Sequence, residues 1–157
     1  MTSMRSVSTI FLLCAWLGGV SACSTVLLNT PVSKKADGWA VTLSQVKEGP
    51  NEYVGEVVTL APGPGEKLIW AVVTVQNEAG QEQTFSYEEC VLSGKDQARK
   101  PEVVARYGGT NTAVDRAEAI EPGQERIRQL IFEYPKEQHP SRLTCGSIVL
   151  PIPKPPK

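Results

Sequence analysis

The chain has 157 residues, 41% hydrophobic and 21% charged, with 16 Lys+Arg against 17 Asp+Glu for a net charge of −1. That balance supplies no basic field for nucleic acid and no broad cationic patch for an anionic lipid surface. One histidine, His139, and the lack of any C-x-x-C spacing argue against zinc, and the length suits a single core of ordinary domain size.

Met1–Arg5 is a short leader with one positive charge, followed by the apolar run Ile10-Phe11-Leu12-Leu13-Cys14-Ala15-Trp16-Leu17. The run is well short of the ~20 residues that span hydrocarbon as a helix. With the small residues Gly18 to Ala22 behind it, it reads as a removable secretion signal. Val20-Ser21-Ala22-Cys23 resembles the bacterial lipobox. The resemblance implies cleavage after Ala22 and a diacylglyceryl group on Cys23, which makes a stable two-chain anchor. Ser24, in place of the aspartate that favours inner-membrane retention in enteric bacteria, implies an outer-membrane address facing the periplasm. The plainer alternative is an ordinary signal cut after Ala22, with Cys23 an incidental thiol.

Loss of residues 1–22 leaves 135 residues and removes one basic and no acidic side chain, so the remaining net charge is −2. Of the four cysteines, Cys14 departs with the signal and Cys23 carries lipid, which leaves Cys90 and Cys145 as a pair. Such a pair is expected to oxidise outside the cytoplasm, and closing the loop between them stabilises a fold by about 4 kcal/mol on the chain-entropy model. The alternative is two buried thiols that do not meet.

Residues 24–37 read as a tether with limited structure. Trp39 to Val46 alternates, with Trp39, Val41 and Leu43 on one face and Thr42 and Ser44 on the other, as a half-buried strand does. Gly49-Pro50-Asn51 is a turn signal before a valine-rich strand over Tyr53 to Leu60. After Pro62-Gly63-Pro64-Gly65 comes Lys67 to Gln76, apolar on both faces and therefore a central strand covered on each side. Thr84 to Tyr87, Cys90 to Leu92 and Val103 to Tyr107 are shorter predicted strands. Thr112 to Ile120 fits one or two helical turns, or a strand or loop. Glu121-Pro122-Gly123-Gln124 is a turn, and Arg126 to Tyr134 and Leu143 to Leu150 are strands, the latter with Leu143, Cys145, Ser147 and Val149 on one side. Pro151 to Lys157 holds four prolines without amide donors and reads as an extended tail. Roughly seven or eight short strands with Gly and Pro punctuation predict an all-β, antiparallel sandwich or barrel.

Three stretches resemble a telokin-like, immunoglobulin-fold domain of unknown function found in secreted and lipid-anchored bacterial proteins. Leu68-Ile69-Trp70-Ala71-Val72-Val73-Thr74-Val75-Gln76-Asn77 is similar to its long core strand ending in asparagine. Cys90-Val91-Leu92-Ser93-Gly94-Lys95 is similar to its short strand and glycine turn. Ala119-Ile120-Glu121-Pro122-Gly123-Gln124, continuing to Leu130-Ile131-Phe132-Glu133-Tyr134-Pro135, resembles its proline-glycine turn and following strand. The resemblance spans about Gly38 to Leu150 and implies an immunoglobulin-like β-sandwich, with no activity attached. Cys90 and Cys145 are not part of that general pattern. The domain organisation read here is a lipoprotein signal peptide at 1–22, a lipidated N-terminus and tether at 23–37, an immunoglobulin-like domain at 38–150 and a Pro-rich tail at 151–157.

Catalytic chemistry is sparse. His139 sits in the polar turn Glu137-Gln138-His139-Pro140, where a histidine is usually solvated. There is no G-x-S-x-G, no H-E-x-x-H and no phosphate-cradling loop; Tyr107-Gly108-Gly109-Thr110-Asn111 reads as a turn. Glu88 and Glu89, if on a strand, point to opposite faces. Arg126 and Arg128 share one face of a strand and are the candidate binding pair, for a carboxylate or a glycan phosphate, against the alternative of a strand end that discourages edge pairing. Trp39 and Trp70 sit in apolar alternation and are assigned to the core. The expected function is therefore a non-enzymatic lipoprotein, held to the membrane by lipid, whose domain binds or braces a protein or envelope component without metal or cofactor. The alternatives are a carrier of a small ligand or lipid and, further off, an envelope hydrolase using His139 with Glu88 or Glu89.

Overall fold

The computed structural model describes residues 24–154. These form fourteen strands: β1 (Thr25–Leu28), β2 (Val32–Ala36), β3 (Trp39–Glu48), β4 (Tyr53–Val54), β5 (Thr59–Leu60), β6 (Glu66–Asn77), β7 (Gln83–Ser86), β8 (Cys90–Ser93), β9 (Ala98–Arg99), β10 (Val103–Arg106), β11 (Ala117–Ile120), β12 (Glu125–Pro135), β13 (Arg142–Cys145) and β14 (Ile148–Pro151). All pairings are antiparallel. One sheet runs β1-β3-β6-β12-β10 with β2 also on β3, a second runs β14-β13-β8-β9, and β7–β11 and β4–β5 are two-stranded ribbons. The chain is a β-sandwich, and its strand count exceeds the expectation because two expected strands are divided and β1, β2, β9 and β11 are added.

β6 has no sheet edge, since β3 and β12 flank it along most of its length. Its period of two splits the side chains between two interiors. Ile69, Ala71, Val73 and Val75 join the main core with Leu130, Phe132 and Tyr134 of β12, Leu92 of β8 and Leu143 and Leu150 of the second sheet. Leu68 and Trp70 face the other way, into a smaller cluster with Tyr53, Val103, Ala105 and Ile131. The β4–β5 hairpin covers that cluster: Trp70 Nε1 donates to the Pro50 carbonyl at 2.9 Å, and the Tyr53 hydroxyl donates to the Asn111 carbonyl at 2.8 Å.

β3 follows the predicted alternation only to Leu43. A bulge at Ser44 shifts the register between Leu43↔Val73 and Gln45↔Val72, so the buried positions change from Val41 and Leu43 to Val46. Ser44 Oγ donates to the Val72 carbonyl, satisfying part of the disrupted ladder. A matching irregularity in β1, between Val26 and Leu28, turns both Leu27 and Leu28 inward.

Several sequence expectations are corrected. The tether at 24–37 is instead part of the sheet: β1 and β2 pair with opposite halves of β3, as one edge strand broken at Asn29–Pro31. The turn between β2 and β3 is Asp37-Gly38, both with positive φ (55° and 79°), the conformation that a two-residue hairpin favours. Tyr53 to Leu60 is two short strands around an exposed tip, where Val57 is 91% exposed. Leu143 to Leu150 is a hairpin turning at Gly146-Ser147, so Ile148 and Leu150 face inward and Val149 outward. The end of the domain shifts as well: Pro151 pairs with Arg142, and Ile152 is buried with its amide on the Ser141 carbonyl, so the tail begins after Ile152. Of the alternatives open for Thr112 to Ile120, the strand holds: the segment makes an isolated bridge at Ala113 and then β11.

Candidate functional site

Arg126 and Arg128 have the parity of Leu130 and Phe132 on β12, on the side facing the β7–β11 ribbon. There they meet Glu118 of β11. Arg128 Nη2 donates to Glu118 Oε2 at 2.6 Å, and Arg126 Nε lies 3.9 Å from Glu118 Oε1. The Tyr87 hydroxyl donates to the same carboxylate at 2.9 Å. Burial first, and the Glu118 charge second, push the Tyr87 hydroxyl well above the ordinary phenol range. Three further guanidinium bonds go to the Ile127 and Glu125 carbonyls and to Gln124 Oε1. The predicted arginine pair thus grips a carboxylate of its own chain. Arg128 is only 14% exposed at its side chain, and its Nε is buried without a partner.

His139 is brought to a different cluster. Lys67, buried on β6, donates to Glu48 Oε1 at 2.6 Å and to the Lys136 carbonyl at 3.0 Å, and His139 Nδ1 lies 3.6 Å from the same Glu48 oxygen. Glu88 pairs instead with Arg116 at 3.6 Å. Glu88 and Glu89 lie in a single 3-10 turn over Tyr87–Glu89, between the two strands predicted on either side. Trp39 stacks edge-on against Phe85, with centroids 5.2 Å apart, and Trp70 sits in the smaller cluster, so both tryptophans pack as predicted.

Cys90 and Cys145 stand directly opposite each other on β8 and β13 and form a disulfide across 55 residues of chain. Cys23 and the signal at 1–22 lie outside the described residues. Among the described residues, no group of three or more His, Cys, Asp or Glu is disposed to hold a metal, and no helix is long and apolar enough to cross a membrane.

Two concavities are notable among the described residues. A cleft of about 190 Å³ beside the disulfide is lined by Asp37, Trp39, Glu89, Cys145 and Ser147 among others, with Ser147 Oγ donating to Asp37. An apolar groove of about 350 Å³ is formed by Leu27, Leu28, Asn29, Thr30 and Val32 against Pro151, Ile152 and Pro153. The β4–β5 hairpin carries a third feature: Val54 (57% exposed), Val57 and Val58, near the loop bearing Tyr107 (52% exposed). Asn111 ties that loop to the hairpin by donating to the Val54 carbonyl at 3.0 Å.

Sequence reasoning missed Glu118 and the groove. Glu118 sits alone between alanines on a segment without strand periodicity, so its partners become visible only once β11 is placed on β7. The groove depends on Leu27 and Leu28, adjacent apolar residues that signal a bulge only when the segment is known to be a strand.

No protein-family model and no curated protein matches this sequence. Two solved structures resemble the fold. One is an uncharacterized beta-sandwich protein from Clostridium difficile 630, at 10% identity and a TM-score of 0.53 over 80% of this chain and 89% of that one. The other is a functionally unknown protein from Listeria monocytogenes EGD-e, at 10% identity and a TM-score of 0.53 over 86% of this chain and 90% of that one.

Proposed function

We propose that this is a non-enzymatic, lipid-anchored protein of the bacterial envelope, lodged in the outer membrane and facing the periplasm, whose immunoglobulin-like β-sandwich docks a partner protein. The observation that carries the reading is the Cys90–Cys145 disulfide. A bonded pair fits an oxidising compartment, and it leaves Cys23 as the one unpaired cysteine behind the signal. A lone thiol at the end of a signal of that length is where a lipid would be attached. Support for a binding rather than a catalytic role comes from the charged side chains. Arg126, Arg128, Glu118, Lys67 and Glu48 are absorbed in contacts within the chain. The β4–β5 hairpin, by contrast, leaves Val54 and Val57 exposed among the described residues.

The test is Cys23→Ala in the exporting cell. Acyl labelling should vanish and the protein should leave the membrane fraction, while the Cys90–Cys145 bond, read by alkylation with and without reductant, stays intact. Retained acyl labelling overturns the anchor. Crosslinking in intact envelopes should recover one defined partner through the hairpin, and a clean absence of adducts there would count against docking.

A further inference from the structure

The apolar groove has a structural cause. β1 and β2 together make one edge of the larger sheet, but the chain breaks between them at Asn29–Pro31. β14 lies along β2, and beyond it the chain leaves the sheet at Pro151. The seam left open has Leu27, Leu28 and Val32 on one wall and Pro151, Ile152 and Pro153 on the other. Two of the wall residues are prolines, which carry no backbone N–H, so that side offers few donors to an occupant. Asn29 and Thr30 supply the polar groups. A volume of about 350 Å³ is at the lower end for ligand pockets, and a lining made mostly of aliphatic and proline side chains suits an alkyl chain.

We infer that this groove shelters one acyl chain of the lipid on Cys23. The inference rests on the proposed lipidation. The strand that floors the groove is the one that leaves the lipidated residue: Leu27 is the fourth residue after Cys23. At ~3.3 Å per extended residue, Cys23 comes within about 13 Å of Leu27. One leaflet's acyl chain spans about 15 Å, half of the ~30 Å hydrocarbon core. A tethered chain also enters as an intramolecular ligand, at high effective concentration. The consequence concerns the anchor itself. Two inserted chains hold firmly and one holds marginally. A chain moved from the bilayer into the groove therefore converts a fixed attachment into a reversible one.

The test uses the full chain, exported by cells fed a fatty acid that carries an alkyne for detection and a diazirine for photocrosslinking. After irradiation of intact membranes, the labelled chain should form intramolecular adducts in peptides containing Leu27–Val32 or Pro151–Pro153. Filling the slot from its less buried positions, by Val32→Trp and separately by Pro153→Trp, should lower those adducts several-fold. Acyl labelling should stay unchanged, and resistance to extraction from the membrane should rise. Adducts to phospholipid alone overturn the inference while the lipidation stands. Wild-type protein that takes up no label at all overturns the lipidation reading instead. Cys23→Ala protein whose groove is labelled by exchangeable phospholipid as strongly as the wild type by its own chain assigns the slot to a free lipid, and likewise overturns the inference.

Discussion

On one face of β6, Ile69, Ala71, Val73 and Val75 pack into an interior closed by a second sheet and pinned by the Cys90–Cys145 bridge. On the other face, Leu68 and Trp70 are covered by a hairpin of two two-residue strands whose tip is bare valine. The same strand thus serves two interiors that differ in how they are sealed. The first is the larger interior and concentrates the folding free energy. The second is a small satellite core whose lid is held by a few hydrogen bonds, chiefly Tyr53 to the Asn111 carbonyl and Asn111 to the Val54 carbonyl. Regions with few buried contacts open at lower cost than the global fold, and binding surfaces are drawn from them. Stability and recognition are therefore expected on opposite sides of one sheet.

The largest effect should come from breaking the sealed side. Phe132 is fully buried in the main core, and Phe132→Ala is expected to cost about 3–5 kcal/mol through lost burial plus the cavity left behind. Leu60→Ala, at the half-covered edge of the satellite cluster, should cost under about 1.5 kcal/mol. Denaturant midpoints measure both. Equal costs would mean that the two interiors are one cooperative unit of equal density.

A smaller, pH-dependent effect belongs to the junction where the β7–β11 ribbon meets β12. The Tyr87 hydroxyl donates to Glu118 and keeps its proton above the ordinary phenol value of 10.0. The native chain then holds a proton that the unfolded chain has released. This stabilisation is fully present below pH 10 and is lost as pH rises past it toward the higher native value, by at most about 1.4 kcal/mol per pH unit. Tyr53 and Tyr134 are raised in the same direction, so the informative quantity is the difference in slope between wild type and Tyr87→Phe. The variant should lose stability less steeply above pH 10 in urea titrations; parallel slopes would show that the Tyr87–Glu118 contact is not maintained in solution.

Much of the sealed side was legible in the amino-acid pattern, and the satellite side was not. Apolar residues on both faces over Lys67 to Gln76 required cover on each side, and the structure supplies it. The pairing of Cys90 with Cys145 followed from counting thiols and is met by their direct opposition on β8 and β13. The N-terminal strands were hidden because β2 is an edge strand: Ser33, Lys34 and Lys35 are exposed, so Val32-Ser33-Lys34-Lys35-Ala36 lacks the alternation of a half-buried strand. The Asp37-Gly38 hairpin signal was in plain view, but with no strand read before it there was nothing for it to connect. Leu143 to Leu150 reads as one continuous strand because a two-residue turn at Gly146-Ser147 interrupts the apolar pattern for too short a span. Arg126 and Arg128 were found as a pair, yet their partner Glu118 is remote in sequence, and only the ribbon pairing identifies what they hold.

The smallest change in stability should accompany the change that sharpens the comparison most. Val57 is 91% exposed at the hairpin tip, and Val57→Asp removes almost no buried area. Substitutions at such surface positions usually stay within about ±0.5 kcal/mol, so the denaturant midpoint should hardly move. If the hairpin is the docking face, the added charge would be desolvated against an apolar partner surface, a cost that the free protein never meets. Envelope crosslinking through this face should then fall several-fold while the disulfide, the acyl label and the midpoint are preserved. A variant that crosslinks like the wild type would move recognition off the satellite side. The exposed valines would then be only the outer surface of a lid over Leu68 and Trp70.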